Sequence, residues 1–398
     1  MAWVWPRQDA GNRALDLPTR KITVAAGAAL NDWYSQPVQA RAVAAGCIAF
    51  LAWFTMKFRM DNANDSETHA YVGAVVWNAQ HATLSADGTG HYAGLAGYAM
   101  WPVTALLGLV TDAYEIRGLA VMLVGLSLLL YGLSYIWCAE LGLRWPTRLL
   151  GLAPLSVSVA FALLIRGWEI DKLIEACLFL LAALCAWRQR FVAFVVIAAL
   201  AAANRETGVF MPLVAAAAVM DQHDNAQALH RSARDPAAGT AATGWVTAAR
   251  AAAAHWSVWV SAVVCLAEVV WLRSLLPPPA VRPWVDLSLA RLIYVGGGLC
   301  VLPALAVAWR SAASTGLRWL LYVLSPVWLV FVLATDQLEQ GMLLLAPLAL
   351  VWLPISLAGL EQPLWRRLPP AHRPGRPIDA QVPAAPAERE STPVAPGT

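Results

Sequence analysis

Apolar runs about as long as a membrane is thick recur along most of the chain, and short segments between them hold the charges. A helix needs about 20 apolar residues to cross the hydrocarbon core, so this pattern predicts membrane helices. The composition agrees, because 59% of the 398 residues are hydrophobic and only 13% are charged, whereas roughly a quarter are charged in soluble proteins. We therefore predict an all-α, polytopic membrane helix bundle with about ten transmembrane helices and interfacial helices in the first outer loop.

The predicted spans are 38–56, 118–137, 149–165, 172–187, 190–203, 208–220, 255–276, 287–308, 319–334 and 341–360. A further apolar run, 95–111, contains glycine, proline and aromatic residues that favour an interfacial helix. With that run at the interface and the N-terminus in the cytoplasm, most of the 28 Lys and Arg residues fall on the cytoplasmic side, as positive-inside sorting requires. A span at 95–111 would reverse every later loop.

Five regions follow from this topology. They are a cytoplasmic N-terminal segment 1–37, a membrane module 38–220 with its first outer loop 57–117, a cytoplasmic linker 221–254, a C-terminal four-helix membrane region 255–360 and a cytoplasmic tail 361–398. The tail is rich in Pro and Ala without an apolar period, which predicts disorder. The polar start of the chain makes the first apolar run a retained anchor. The predicted location is the bacterial inner (plasma) membrane, multi-pass, with both termini cytoplasmic.

Composition also narrows the partners. The net charge of +3 and the lack of a basic run with interleaved aromatics exclude nucleic acid as the expected partner, and the lipid bilayer is the expected one. The six cysteines form no CxxC pair and match no metal-ligand spacing. They are predicted to be small buried apolar residues.

The densest group of outer acids follows the first span in "RMDNANDSETHAY" (59–71), which contains Asp61, Asp65, Glu67 and His69. One interpretation is a hydrated loop. The other is a carboxylate held at the membrane surface as a general base or metal ligand. No cofactor is predicted with certainty, and a divalent cation, Mg²⁺ or Mn²⁺, is left open.

A second outer group, "IRGWEIDK" (165–172), contains Glu169 and Asp171, which either pair locally or line the same cavity. The third group is the turn "NRET" (204–207). Its structural interpretation is a turn in which Asn204 stops one helix, Thr207 caps the next, and Arg205 pairs with Glu206. Its functional interpretation has Arg205 facing a cavity and binding a phosphate.

Glu268 lies inside the predicted seventh span, "VCLAEVVWLRSLL". An acid at that depth is costly and is a candidate functional residue. The alternatives are a neutral carboxyl or a pair with Arg273 near the outer surface.

The order of features across residues 38–220 resembles the GT-C class of integral-membrane glycosyltransferases, the superfamily of dolichyl-phosphate-mannose and arabinose transferases. After the anchor span come the outer acids "DNANDSETHAY" and the interfacial "HYAGLAGYAMWPVTALLGLV", and "YEIRGLA" leads into the second span. The outer loop "RGWEIDKL", the basic "WRQR" and the charged turn "AAANRETGVFMPL" follow. The resemblance implies a helix bundle with interfacial helices over an outer-facing cavity, and a polyprenyl-phosphate sugar as donor.

The resemblance also implies roles for particular residues. The catalytic base would be a carboxylate of the first outer loop, namely Asp65, Glu67 or Asp61. The implied substrate-binding residues are Arg205, Glu206, Asp171, Glu169, Tyr71 and His69. Among these, Asp171 and Glu169 match the second outer acid, and Arg205 matches the basic residue near the lipid phosphate.

The expected function is transfer of a sugar from the polyprenyl-phosphate donor to a cell-envelope glycan or lipid acceptor on the extracytoplasmic side, as in envelope polysaccharide biosynthesis. Two alternatives remain open. One is a multi-pass transporter or flippase of lipid-linked or small substrates, and the other is a non-enzymatic envelope assembly protein. A transporter would favour midplane charges and broken helices.

Overall fold

The computed structural model describes residues 38–61, 72–73, 76, 94–110, 114–165, 170–234, 245–274, 315–327 and 345–358. It is 94% helical and has no strand in these ranges, so the all-α prediction is confirmed for them. The helices are α1 (Val38–Asp61), α2 (Gly94–Gly108), α3 (Tyr114–Glu140), α4 (Trp145–Ile165), α5 (Ile170–Trp187), α6 (Phe191–Asn204), α7 (Met211–Arg234), α8 (Trp245–Ala254) and α9 (Trp256–Ser274). A 3-10 turn, Glu206–Phe210, joins α6 to α7.

Two shorter helical segments complete the described part of the chain. The first, α10, is Thr315–Trp319 and continues through the π-helical residues Leu320–Leu324. The second, α11, is Leu345–Pro347 and continues through the π-helical residues Leu348–Trp352. Both occupy parts of the predicted spans 319–334 and 341–360.

Two tight turns reverse the chain at the same end of the bundle. Gly142 after α3 and Gln189 after α5 both adopt positive φ, 79° and 59°. In each turn the next amide bonds to the carbonyl five residues earlier, as when Arg190 N donates to Cys185 O at 2.8 Å. This left-handed ending satisfies the last helical carbonyls and returns the chain beside the helix it leaves.

Helix α5 lies at the centre of the described bundle. It packs against α2, α3, α6, α7 and α11, and most of its residues are buried along its whole length. This central position buries the polar residues in its first two turns together with its apolar ones.

Among its described residues, the structure identifies two to three candidate membrane spans. Val38–Phe58 and Ile116–Glu140 are long and apolar enough, and Val246–Ala254 with Trp256–Leu272 forms a pair bent by 62°. Helix α6 is apolar but has only 14 residues, about 21 Å at 1.5 Å per residue, which is short of a hydrocarbon core of about 30 Å. The coarser prediction of a membrane protein is supported, and the count of about ten spans is not confirmed.

The surface of α1 suits a lipid environment. Phe50, Trp53 and Phe54 are exposed on this helix, and their rings stand 5.9 and 6.4 Å from one another along it. A row of exposed aromatic rings on an apolar helix is unfavourable in water and favourable against acyl chains.

Some of the predicted regions are helical in the structure, and others lie outside the described residues. The segment 221–254, predicted as a linker, is helical where it is described, because α7 continues to Arg234 and α8 covers Trp245–Ala254. The predicted interfacial run is a helix, α2, with Pro102 inside it. The span 287–308 and the terminal segments 1–37 and 361–398 lie outside the described residues.

Candidate functional site

A buried polar cluster forms where the start of α5 meets the end of α6. Helix α6 ends at Asn204, and Arg205 then adopts an extended backbone, with φ −155° and ψ 155°. The 3-10 turn that follows folds back onto α6, and Gly208 makes this possible. A Cβ on Gly208 would lie under 3.0 Å from backbone atoms of Ala201 and Ala202. The sequence Asn-Arg-Glu-Thr-Gly therefore forms a tight turn that leads from α6 into α7, and it does not interrupt a single long helix.

Arg205 is held by two carboxylates of α5. Its Nη1 donates to Asp171 Oδ2 in a short ion pair, and its Nε lies 3.7 Å from Glu175 Oε2. The Arg205 side chain is only 7% exposed, and those of Asp171 and Glu175 are 7% and 2% exposed. Asp171 and Glu175 are four residues apart on one helix, so they lie on one face and grip the same guanidinium.

Neighbouring polar groups tie the turn to α5. Asn204 Nδ2 donates to the backbone carbonyl of Asp171 at 2.7 Å, and Thr207 Oγ1 donates to Glu175 Oε1 in a short hydrogen bond. Lys172 is also buried and interacts electrostatically with Glu175. We call Asp171, Lys172, Glu175, Asn204, Arg205 and Thr207 the Arg205 cluster.

Electrostatics keep Arg205 charged in this setting. Burial works against the cation, but the carboxylates of Asp171, Glu175 and Glu206 outweigh it, so the pKa of Arg205 lies above its ordinary value. Buried charges of this kind are tolerated only when they are paired and hydrogen-bonded. The cluster can thus present a permanent guanidinium to an incoming anion, provided that one of its carboxylate partners moves aside.

Helix α2 lies at the same end of the bundle. It packs against α3, α5 and α6, and a Cβ on Gly118, near the start of α3, would lie 2.8 Å from Thr104 Cγ2 of α2. Since Glu140 at the end of α3 meets Arg188 at the far end of α5, the start of α3 and the helix α2 beside it lie at the end that carries the Arg205 cluster.

A second polar group marks the opposite end of α5, about 24 Å away by helix rise. Arg188 Nη2 bonds Glu140 Oε2 at 2.9 Å. Asp221 Oδ2 accepts a hydrogen bond from Trp187 Nε1 at 3.1 Å, and its Oδ1 accepts one from Gly316 N at 2.5 Å. These bonds join α3, α5, α7 and α10, which makes this end a structural junction.

The structure brings some of the predicted site residues together. Asp171 and Arg205, predicted from two separate loops, are in direct contact. Glu206 contributes to the field at Arg205, and ion pairs with Asp171 and Glu175 also hold the guanidinium. The Thr207 hydroxyl bonds Glu175, and the 3-10 turn has no side-chain cap bond from its N-cap residue, Arg205.

The remaining predicted site residues lie at the end of α1 or outside the described residues. Asp61 is the last residue of α1. The predicted residues outside the described ranges are Asp65, Glu67, His69, Tyr71 and Glu169.

Glu268 lies in the half of α9 nearer the 3-10 turn. Cys265 Sγ approaches Ala198 O at 3.4 Å, and α9 also packs against the 3-10 turn. Glu268 is half-buried. The side chain of Arg273, its predicted partner, is not among those that the structure describes.

Lys172, Glu175 and Thr207 belong to the cluster but were not predicted as site residues. A signal for two of them was present in the sequence, because Asp171, Lys172 and Glu175 fall within two turns of an otherwise apolar helix. Charges so placed require partners, and Arg205–Glu206 is the charged turn that follows the next helix, α6.

Metal binding receives no support from the described ranges, where no group of three or more His, Cys, Asp and Glu side chains could hold an ion. The described cysteines, Cys47, Cys138, Cys177, Cys185 and Cys265, are free thiols. What the described cluster can offer chemically is therefore cationic binding and carboxylate proton transfer.

Comparisons of this chain with protein-family models, with curated proteins and with solved structures find no match in any of the three.

Proposed function

We propose that this protein is a membrane glycosyltransferase that moves a sugar from a polyprenyl-phosphate donor to a cell-envelope glycan or lipid acceptor on the extracytoplasmic side. The observation that carries the proposal is the burial of a cation, Arg205, and a second basic side chain, Lys172, beside two carboxylates at one end of the bundle. Guanidinium grips phosphate oxygens with two parallel bonds, and buried ionisable groups in membrane proteins are candidate functional residues by default.

The distribution of charge supports the orientation in this proposal. Arg144, Arg148, Arg188 and Arg190 belong to the two turns at the end opposite the Arg205 cluster. Basic residues concentrate on the cytoplasmic side of membrane proteins. With that end in the cytoplasm, the cluster faces outward, and we place the protein in the bacterial inner membrane with both termini cytoplasmic.

In the proposed reaction, the acceptor oxygen attacks the anomeric carbon of the donor while the bond from that carbon to the phosphate oxygen breaks. The electron pair of the broken bond goes to the phosphate, whose growing charge Arg205 and Lys172 stabilise. A carboxylate of the first outer loop, Asp65, Glu67 or Asp61, takes the proton of the acceptor hydroxyl. The configuration at the anomeric carbon is inverted by this single displacement.

The paired state of Arg205 in the structure defines a resting form. The donor phosphate replaces Asp171 on the guanidinium, while Glu175 remains tied to Thr207. The helix α2 beside the cluster excludes water from part of this end, which strengthens charge stabilisation there.

The test is release of polyprenyl phosphate from polyprenyl-phosphate hexose and pentose donors by the purified full-length protein in nanodiscs. Arg205→Ala should lower turnover by about 10²- to 10³-fold, the usual loss for one preorganised charge-stabilising donor. Arg205→Lys should recover part of it. Arg188→Ala, at the opposite end, is the matched control and should retain turnover.

Two results would count against the proposal. If Arg205→Ala and Arg188→Ala turn over donor equally when both elute as folded protein, Arg205 has no role in the reaction. If Asp61→Ala, Asp65→Ala and Glu67→Ala all retain full turnover, the base lies elsewhere.

A transporter or flippase is the second candidate, and two observations favour it. Lys172 and Glu175 are charged groups buried within a helix, and the α8–α9 pair is bent by 62°. Broken helices and buried charges are typical of transporters. Movement of a lipid-linked sugar across proteoliposome membranes without cleavage of its phosphate bond would select this candidate.

A further inference from the structure

We propose that the Arg205 cluster is a proton-coupled phosphate site, which takes up about one proton on Asp171 or Glu175 when a phosphate group binds Arg205. This proposal rests on the proposed function only in assigning a phosphate ligand to Arg205. The ligand chemistry is a phosphate group, carried either by a polyprenyl lipid or by free phosphate.

The charge balance of the cluster is the first argument. Arg205 and Asp171 form one neutral pair. Lys172 and Glu175 interact as a second pair, which stays neutral whichever of the two carries the shared proton. The cluster as a whole is therefore neutral before an anion binds, and a phosphate adds at least one negative charge in a buried place.

The surroundings offer few other groups to absorb that charge. No charged residue occurs in α2, in α6 or in residues 345–358, all of which pack near α5. Charged residues at the near ends of the other elements are Glu206 on the 3-10 turn, Glu268 and Arg273 on α9, and Glu115 and the exposed Arg117 at the start of α3. Three of these five are acids, so together they add to the negative charge instead of compensating it.

The geometry at Arg205 is the second argument. Both Nη1 and Nε of the guanidinium face carboxylates in the resting form. A phosphate gripped by two parallel N–H bonds needs Nη1 or Nε together with Nη2, so it displaces at least one carboxylate. The displaced carboxylate stays inside the bundle without a cation, and a buried carboxylate in that position protonates more readily than it remains charged.

Hydrogen-bond acceptors for that proton are already in place. Asn204 is fully buried, its Nδ2 donates to the Asp171 carbonyl, and its Oδ1 accepts no hydrogen bond from any described residue. The Thr207 hydroxyl, now a donor to Glu175, can rotate and accept instead. A protonated carboxyl therefore finds an acceptor within the cluster.

A site of this kind has a defined pH dependence. Since the bound state holds about one more proton than the free state, phosphate affinity rises as pH falls, by up to about tenfold per pH unit. A site that binds phosphate at an already solvated arginine takes up no proton of its own.

The test is isothermal titration calorimetry of the full-length protein in nanodiscs, with farnesyl monophosphate and inorganic phosphate as separate probes. Titrations in buffers of different ionisation enthalpy count the protons taken up on binding. We expect about one for the wild type, a value near zero for Glu175→Gln or Asp171→Asn, and an unchanged value for the control Glu140→Gln at the opposite end. Uptake with the lipid probe alone would identify the lipid headgroup as the source of the phosphate.

The outcomes separate the two proposals. Binding that depends on Arg205 but takes up no proton, with an affinity that is flat from about pH 6 to about pH 8, overturns the proton coupling and leaves the phosphate ligand intact. No binding of either probe to folded wild-type protein overturns both. If the Glu175→Gln and Asp171→Asn variants do not fold, the wild-type proton count at about pH 8 decides the question, because the second ionisation of both probes is largely complete there.

Discussion

Replacing Arg205 with methionine removes the cation that two buried carboxylates share while keeping much of its apolar volume. The side chains of Arg205, Asp171 and Glu175 are at most 7% exposed, so solvent cannot screen the carboxylates left behind. Breaking a buried pair from one side costs about 3–5 kcal/mol, and we expect a loss of this size in the free energy of unfolding. Arg188→Met is the matched control. It removes one partner of a more exposed pair, with side chains 16% and 13% exposed, and should cost about 1–2 kcal/mol, between the surface and buried limits.

The measurement is equilibrium unfolding of the purified protein in mixed detergent micelles, followed by circular dichroism at 222 nm. The double variant Asp171→Asn/Arg205→Met provides a further check, because it removes the uncompensated carboxylate together with the cation and keeps the Lys172–Glu175 pair. We expect it to be more stable than Arg205→Met alone. The reasoning is refuted if Arg205→Met loses no more stability than Arg188→Met, or if the double variant is less stable than the single one.

Further predictions concern the turn and the opposite end of the bundle, and all can be measured in the same unfolding assay. Gly208→Ala should destabilise the fold by about 1–3 kcal/mol, because its Cβ would meet helix backbone. Gly132→Ala, whose added Cβ would meet no neighbouring element within 4 Å, should be neutral or slightly stabilising. Equal effects of the two substitutions would contradict the close approach at Gly208. Asp221→Ala leaves a partly buried indole N–H and a buried backbone N–H without an acceptor and should cost about 2–4 kcal/mol, more than Asp224→Ala on the same helix. Thr207→Val removes a hydroxyl bonded within the Arg205 cluster and should cost about 1–3 kcal/mol; an unchanged unfolding midpoint would show that this bond contributes nothing.

The ion pair of Asp171 with Arg205 shows how much of the site can be predicted from the sequence pattern. The sequence places both residues at helix ends, and the topology drawn from basic residues puts those ends on one side of the membrane. Neither observation specifies a contact, because two loops on the same side can lie many ångströms apart. The structure adds the 3-10 turn, which packs closely on α6 at Gly208, and the ion pair of Arg205 with Asp171 in the first turn of α5.

Lys172 and Glu175 show where the same reasoning stops. An apolar run that includes two charges can be read as a span with snorkelling ends or as a buried helix with internal ion pairs. Periodicity does not separate these, since both have the same spacing. The decision depends on what surrounds α5, and five other helices cover it.

The sequence by itself determined that the chain is helical and apolar, because 59% hydrophobic residues in long runs leave no other way to satisfy the backbone in lipid. It also placed most charges in the short segments between the apolar runs, because an unpaired charge within a membrane helix is costly. Only the tertiary structure decided which charges meet. Ion pairing depends on distances of a few ångströms between residues more than 30 positions apart, and those distances are set by the packing of α5, α6 and the turn after them.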